Sequence, residues 1–348
     1  MKFTDIIGNT QLKDSLLQMV DSDRLPHALL FSEDGAWGAL PLAVALAQYV
    51  NCGRHKDGDS CGECPSCHKF GSLQHPDLHF AFPVASAKKL SEAEKKAPVS
   101  DYFLQEWRDL LLSNPYFGEN DFYDAMGIEG KSGIIGVHEA RRIFEKLSLR
   151  PFEGDYKTMI IYLPERMNQE ASNKLLKLIE EPPFGTLFIL VSHAPEKIIS
   201  TIRSRCQPIR LSPLTKDERM AAGIGSGFNS EYNEIIIRLL DMSLKKSLID
   251  TFPVWEALAE MGREKQREWC VYAENYIRKI YMVASSVASL SESDADEEKD
   301  IARYASQLKG TFYERAFDSL EKALVSIDSN VNSKLTFCNM CNIIFLSV

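Results

Sequence analysis

The alternation of short apolar runs with amphipathic stretches, from the N-terminus to about Leu214, constrains this chain most. His27–Phe31, Leu78–Ala81, Lys157–Leu163, Thr186–Ser192 and Gln207–Leu211 read as strands; the third and fourth are apolar enough to be buried on both faces. Ile6–Val20, Leu40–Val50, Val137–Leu147 and Asn168–Glu181 read as helices. In Val137–Leu147 the spacing puts Ala140, Ile143, Phe144 and Leu147 on one face, and Pro182-Pro183 stops the last helix. Parallel strands need helical crossovers, so this pattern predicts an α/β domain on a parallel sheet.

From Leu214 the pattern is almost wholly helical, with a break at Gly223–Gly227. The acidic stretch SESDADEEKD, Ser291–Asp300, reads as a solvated loop or a helix start. Ala85–Glu129 interrupts the alternation. It opens on SAKKLSEAEKKAP and continues into Tyr102–Leu112, where Phe103, Trp107, Leu110 and Leu111 share a face. It reads as an insertion packed on the domain surface. The length, 348 residues, suits roughly two or three domains. No apolar run reaches the ~18 residues of a membrane span. MKFTDIIGNT has no signal-peptide core, so the expected location is cytoplasmic. A net charge of −9 excludes a chain-wide basic surface for nucleic acid and leaves a local patch open.

Four of the eight cysteines cluster in CGRHKDGDSCGECPSC: Cys52, Cys61, Cys64 and Cys67, spaced C-x8-C-x2-C-x2-C. Short turns rich in Gly and Asp can bring four thiolates around one Zn²⁺, a closed and therefore structural site. Surface thiols, a redox pair and an iron–sulfur cluster are the competing readings. Cys338 and Cys341, one helical turn apart in FCNMCNIIFL, read as buried core residues; Cys206 and Cys270 look solitary.

FSEDGAWGALPLA, Phe31–Ala43, has the strand, glycine loop and helix of a phosphate-binding P-loop. Gly35 and Gly38 are in place. The loop then ends in Ala39-Leu40, which offers neither a cation for the phosphates nor a hydroxyl for Mg²⁺. Trp37 would crowd the phosphate space. The strand TMIIYLPERM carries a second defect: Tyr162 and Leu163 stand where an Asp-Glu pair would hold Mg²⁺, and Glu165 lies beyond. ATP hydrolysis is not expected; binding without hydrolysis stays open. EGKSG, Glu129–Gly133, has Ala125 where a P-loop needs glycine and no strand before it, so it reads as a turn.

Several segments together resemble the clamp-loader AAA+ family of bacterial DNA polymerase III, in particular its delta-prime subunits. They are FTDIIGNTQLKDSL, RLPHALLF, the four-Cys module behind the P-loop helix, HPDLHF, LSLRPFEGDYKTMIIYLPERMNQEASNKLLKLIEEPP and FILVSHAPEKIISTIRSRCQPIRL. The resemblance covers about Met1–Leu214 apart from the insertion; the remainder matches in character alone. Its most specific part is Thr201–Cys206, TIRSRC, which carries the family's Ser-Arg-Cys motif in Ser204, Arg205 and Cys206.

The resemblance implies an AAA+ α/β domain over 1–212, a RecA-like parallel sheet with helices on both faces. It implies a small helical lid over 213–249 and an all-α collar over 250–348. It implies a non-catalytic clamp-loader subunit that joins tau/gamma ATPase subunits and the delta subunit to load the sliding clamp (beta) on primer-template DNA. Arg205 would reach into a neighbour's ATP site, where a guanidinium stabilises the charge that builds on a transferring phosphoryl group. An arginine supplied in trans is worth roughly 10³–10⁵ in rate in other NTPases. Ser192-His193 replaces the usual sensor Thr or Asn, Lys246 stands for a sensor Arg, and the insertion is longer than the family pattern. Two other readings compete. One is an active tau/gamma-like ATPase. The other is a zinc-containing nucleic-acid adaptor, whose Arg54, His55, Lys56, His68 and Lys69 are offset by Asp57, Asp59 and Glu63.

Overall fold

The computed structural model describes residues 1–35, 37–128, 133–224, 230–285 and 295–348, without the side chains of 216, 230, 250, 264 and 295–298. Most of the turn expected at Glu129–Gly133, of the break at Gly223–Gly227 and the first part of the acidic stretch lie outside the described residues. The chain forms two compact units, Met1–Ile224 and Gly225–Val348.

The first unit is built on five strands: β1 Ala28–Ser32, β2 Leu78–Ala81, β3 Lys157–Tyr162, β4 Thr186–Ser192 and β5 Gln207–Arg210. All pairings are parallel, in the order β2-β3-β4-β1-β5. Register runs from Ala28 opposite Phe188 to Ser32 opposite Ser192, so β1 and β4 end together. Helices α1 Thr10–Asp21, α2 Ala39–Val50, α3 Pro65–Gly71, α4 Glu92–Lys96, α5 Leu104–Ser113, α6 Glu119–Ala125, α7 Val137–Leu147, α8 Gln169–Glu180, α9 Ser200–Arg203 and α10 Lys216–Ala221 surround it. Side chains alternate across the sheet with period two. Ile160, Tyr162, Ile189 and Val191 join the core around α2. Met159, Ile161, Phe188 and Leu190 join the core of α7 and α8 on the other face. Helix α2 is apolar all round and every residue in it is buried, as a central helix requires. This is the α/β architecture expected: a parallel sheet with helices on both faces, followed by helices alone.

Four expectations shift. The first helix starts at Thr10 rather than Ile6, because Gly8 and Asn9 are left-handed, with φ of 70° and 51°. Asn9 is fixed there by paired hydrogen bonds with the backbone of Ser212. The first strand runs one residue later than expected. Phe144 is 57% exposed although helical spacing aligns it with buried Ile143 and Leu147. The Ala85–Glu129 insertion is not a surface appendage. Phe103, Trp107, Leu111, Phe117, Phe122 and Met126 belong to the same core as α2.

The second unit contains α11 Ser230–Leu244, α12 Phe252–Glu260, α13 Arg263–Ala284, α14 Ala295–Gln307, α15 Gly310–Asp328 and α16 Ser333–Ser347. One core, with Trp269, Tyr276, Tyr304, Phe312 and Phe337, is shared by α11 and the later helices. Cys270 and Cys341 are buried in it, while Cys338 is half-buried. Among the described residues no helix is long and apolar enough to cross a membrane.

Candidate functional site

The loop after β1 leads into the N-terminus of α2. Gly38 makes this geometry possible: it caps the helix with φ of 102° and has no side chain to satisfy the first-turn N–H groups. The first of them, Ala39 N–H, and the loop N–H of Trp37 turn to Glu33 instead. Its carboxylate Oε2 accepts from Trp37 N–H at 2.8 Å and from Ala39 N–H at 3.0 Å. Glu33 is 4% exposed, and its backbone N–H continues the sheet by donating to Ser192 O. Its other oxygen, Oε1, lies 3.4 Å from His193 Nε2. Burial works against a charged His193, but the Glu33 contact and the nearby carboxylates of Glu165 and Glu119 raise its pKa above the ordinary value. Glu165 holds the end of β4 in place, accepting from Ser192 Oγ, His193 N–H and Ala194 N–H.

At the end of β3 stand Tyr162 and then Leu163, bulky side chains without a carboxylate. Leu163 is fully buried, left-handed at φ 54°, and donates its N–H to Val191 O. The Tyr162 ring lies 5.5 Å from Trp107, 5.7 Å from Phe117 and 5.4 Å from Phe122, all from the insertion. Its edge also meets His193. Burial pushes the Tyr162 phenol well above its usual pKa, so it stays neutral. Tyr116, from the same insertion, accepts the Ile7 N–H at 2.7 Å, and its ring lies 3.0 Å from where a Cβ on Gly38 would project. Aromatic side chains of the insertion therefore pack over the end of β3 and the residue that caps α2. The sequence signal was its aromatic density; what it covers depends on contacts distant in sequence.

The four cysteines converge. The Sγ atoms of Cys52, Cys61, Cys64 and Cys67 all lie within 4.8 Å of one another, and Cys61 and Cys67 are 3.8 Å apart. Tetrahedral ligation at a Zn–S distance of about 2.3 Å puts sulfurs about 3.8 Å apart, so the residues fit such an ion. Backbone N–H groups point at the sulfurs: Glu63 and Cys64 donate to Cys61, and Cys67 donates to Cys64. Donation from Glu63 and then Cys64 brings the Cys61 thiol down to about 6 against the opposing effect of burial. Among the described residues this is the one cluster of possible metal ligands. Beside it, buried Asp59 accepts from Phe3 N–H and Thr4 N–H, which pins the N-terminal segment to the module.

In TIRSRC the three motif residues have different surroundings. Cys206 is buried against the α7–α8 core, and burial pushes its thiol up to about 11. Ser204 is exposed and donates to Thr201 O. Arg205 is partly exposed, donates to Thr201 O at 2.9 Å and pairs with Glu180 Oε1 at 2.5 Å. Arg205 does not approach Glu33 or Tyr162 among its hydrogen bonds and ion pairs. Lys246, the expected sensor position, is left-handed at φ 56° and donates to Val348 O.

The family described as "DNA polymerase III, delta subunit" matches residues 8–215, more than half of the chain. The chain belongs to this family. DNA polymerase III subunit delta' of Haemophilus influenzae is 26% identical over 257 residues, 74% of this chain and 64% of that protein. The Bacillus subtilis subunit delta' is 28% identical over 199 residues, 57% of this chain and 46% of its own. The chain thus spans under two thirds of either relative's length. A DNA polymerase III gamma subunit-related protein of Thermotoga maritima is similar at 15% identity and a TM-score of 0.40, covering 97% of this chain and 99% of that one.

Within the region of family match, Asp77 of HPDLHF explains the distant segment RPFEGD. Fully buried, it accepts from the N–H groups of Phe152, Glu153 and Gly154 at 2.6, 2.8 and 2.9 Å. Burial disfavours its charge, yet these three donors lower its pKa below the usual carboxylate value.

Proposed function

We propose that this chain is a non-catalytic subunit of a cytoplasmic DNA polymerase III clamp loader. In this reading it assembles with tau/gamma ATPase subunits and a delta subunit. The complex then places the sliding clamp on primer-template DNA. The observation that carries the reading is a contrast within one unit. The chain's own cleft is filled by Glu33, Tyr162, Leu163 and the insertion, while Arg205 stays at the surface. Arg205 would act in trans on a neighbour's ATP. Its pair with Glu180 is about as exposed as surface ion pairs worth roughly 0–1 kcal/mol, so a phosphate could displace the carboxylate at little cost. Cys206 would anchor the motif from beneath and Ser204 would shape the turn. The helical remainder, divided into a lid over 213–249 and a collar over 250–348, would supply most of the ring contact.

The four cysteines would hold Zn²⁺ as a structural ion. A closed four-thiolate site leaves no position for substrate.

The test is a reconstituted loader in which wild-type chain is replaced by Arg205→Ala. A fall of at least 10²-fold in clamp- and DNA-stimulated ATPase, with assembly intact, is expected. Unchanged turnover would remove the trans role.

A further inference from the structure

We propose that Glu33 is a resident anion: its carboxylate occupies, from within the chain, the place a phosphate takes in a working P-loop, and thereby keeps the cleft shut. The inference rests on reading this cleft as a silent nucleotide site, and it names the group that silences it.

The geometry differs from ordinary helix capping. A capping side chain normally belongs to the residue at the helix boundary. Here that residue is Gly38, and the acceptor comes from Glu33, at the end of β1 and across the glycine loop. Two N–H groups either side of the cap, Trp37 in the loop and Ala39 at the first helical position, converge on one carboxylate oxygen, as loop and helix donors converge on phosphate oxygens in an anion-binding loop. The positive end of a helix of 12 residues adds to the attraction. A buried carboxylate needs further compensation, and His193 supplies it on the other oxygen. His193 stands just past β4, opposite the end of β1, so strand, loop and helix all address the same charge. Tyr116 packs against Gly38 and the Tyr162 ring meets His193, so aromatic bulk surrounds the same charge. An incoming phosphate would find its donors taken and would meet a buried negative charge. Loss of the P-loop lysine and hydroxyl removes attraction; Glu33 adds exclusion.

The test uses the full chain and its Glu33→Ala variant. Unfolding midpoints are measured in inorganic phosphate and in chloride at equal ionic strength. The wild type should show only the general, non-saturating stabilisation that phosphate gives a folded protein over chloride. Glu33→Ala should unfold at lower temperature in chloride and gain a saturable rise of roughly 4 °C or more with phosphate, as the freed donors take an external anion. A folded Glu33→Ala that responds to phosphate no differently from wild type would overturn the proposal. If Glu33→Ala does not fold in chloride, Glu33→Gln decides, because the amide keeps an acceptor and loses the charge. Reduced stability supports a resident anion, and wild-type stability shows that a neutral cap suffices. ATP titration of the wild type separates the two claims. Binding there would sink the silent-site reading itself, whereas the variants bear on Glu33 alone.

Discussion

Single residues in this chain matter mostly as carboxylates that organise backbone donors. Glu33, Asp59, Asp77 and Glu165 each accept two or more main-chain N–H groups. Sequence exposes none of these roles. SEDG reads as a polar loop, and nothing in it says that Glu33 turns inward while Asp34 stays half out in solvent beside Arg210. Asp77 lies in a recognisable motif, but its partners are about 75 residues away. Replacing Asp77 with Ala would remove the shared acceptor of three partly buried N–H groups, and a loss of about 1–3 kcal/mol in denaturant unfolding is expected. A loss under about 1 kcal/mol would mean that the 152–154 loop finds other acceptors. The Glu33–His193 pair has a pH signature. Because the folded pKa of His193 is raised, its contribution is complete below the unfolded value of about 6.5. It is lost as pH rises through the folded value. The groups that face it are the carboxyl groups of Glu33, Glu165 and Glu119 and the neutral phenol of Tyr162. The stability gap between wild type and Glu33→Gln should therefore shrink between pH 6 and pH 9, by roughly 1.4 kcal/mol for each unit by which the pKa is raised. A gap independent of pH would show that His193 is neutral when folded.

At the level of elements, the periodic signals were read well and the packing signals were not. Strands β3 and β4 are unbroken apolar runs, and both faces of each are buried, so their identity followed from hydrophobicity alone. Gly38-Ala39-Leu40 and Tyr162-Leu163 can be compared with the nucleotide-site pattern from sequence alone, because the residue types that pattern requires are few. Phe144 shows the limit of helical spacing: periodicity gives a face, but coverage depends on which other element lies over it. The insertion shows the converse. Its aromatic residues have no single period because they come from α5, α6 and the segment between them, and they converge on Tyr162 and on one another. Trp107 is fully buried and contacts Phe80, Phe82, Phe117, Phe122 and Tyr162. Trp107→Ala should cost about 3–5 kcal/mol, the range for a large aromatic removed from a core. A cost near zero in equilibrium unfolding would return the insertion to the surface role that its polar opening suggested.

In the whole molecule, an α/β unit precedes an all-helical unit, and the four-cysteine module ties the first unit together at its N-terminal edge. Asp59, inside the module's longest spacing, accepts from Phe3 and Thr4, and its neighbour Ser60 accepts from Gln48 of α2. Asn51, next to Cys52, accepts from Tyr156 N–H just before β3 and presents its carbonyl to Ser66 of α3. The N-terminal segment, the central helix and the start of a core strand are thus all hydrogen-bonded to a few residues around the thiols. Metal affinity built on such a module is folding free energy, because the ligand set does not pre-exist in the unfolded chain. Removing the ion with a chelator should therefore lower the unfolding midpoint and speed amide hydrogen exchange at Phe3 and Thr4 first, since Asp59 holds their N–H groups. Exchange at the centre of β4 should change least, because that strand is hydrogen-bonded on both sides. The same experiment on Cys64→Ala, which deletes one ligand at the partly exposed corner, should reproduce the chelated state without added chelator. If Phe3 and Thr4 keep their protection in both cases, the module is held by its hydrogen bonds alone and the four thiols do not need an ion to do it.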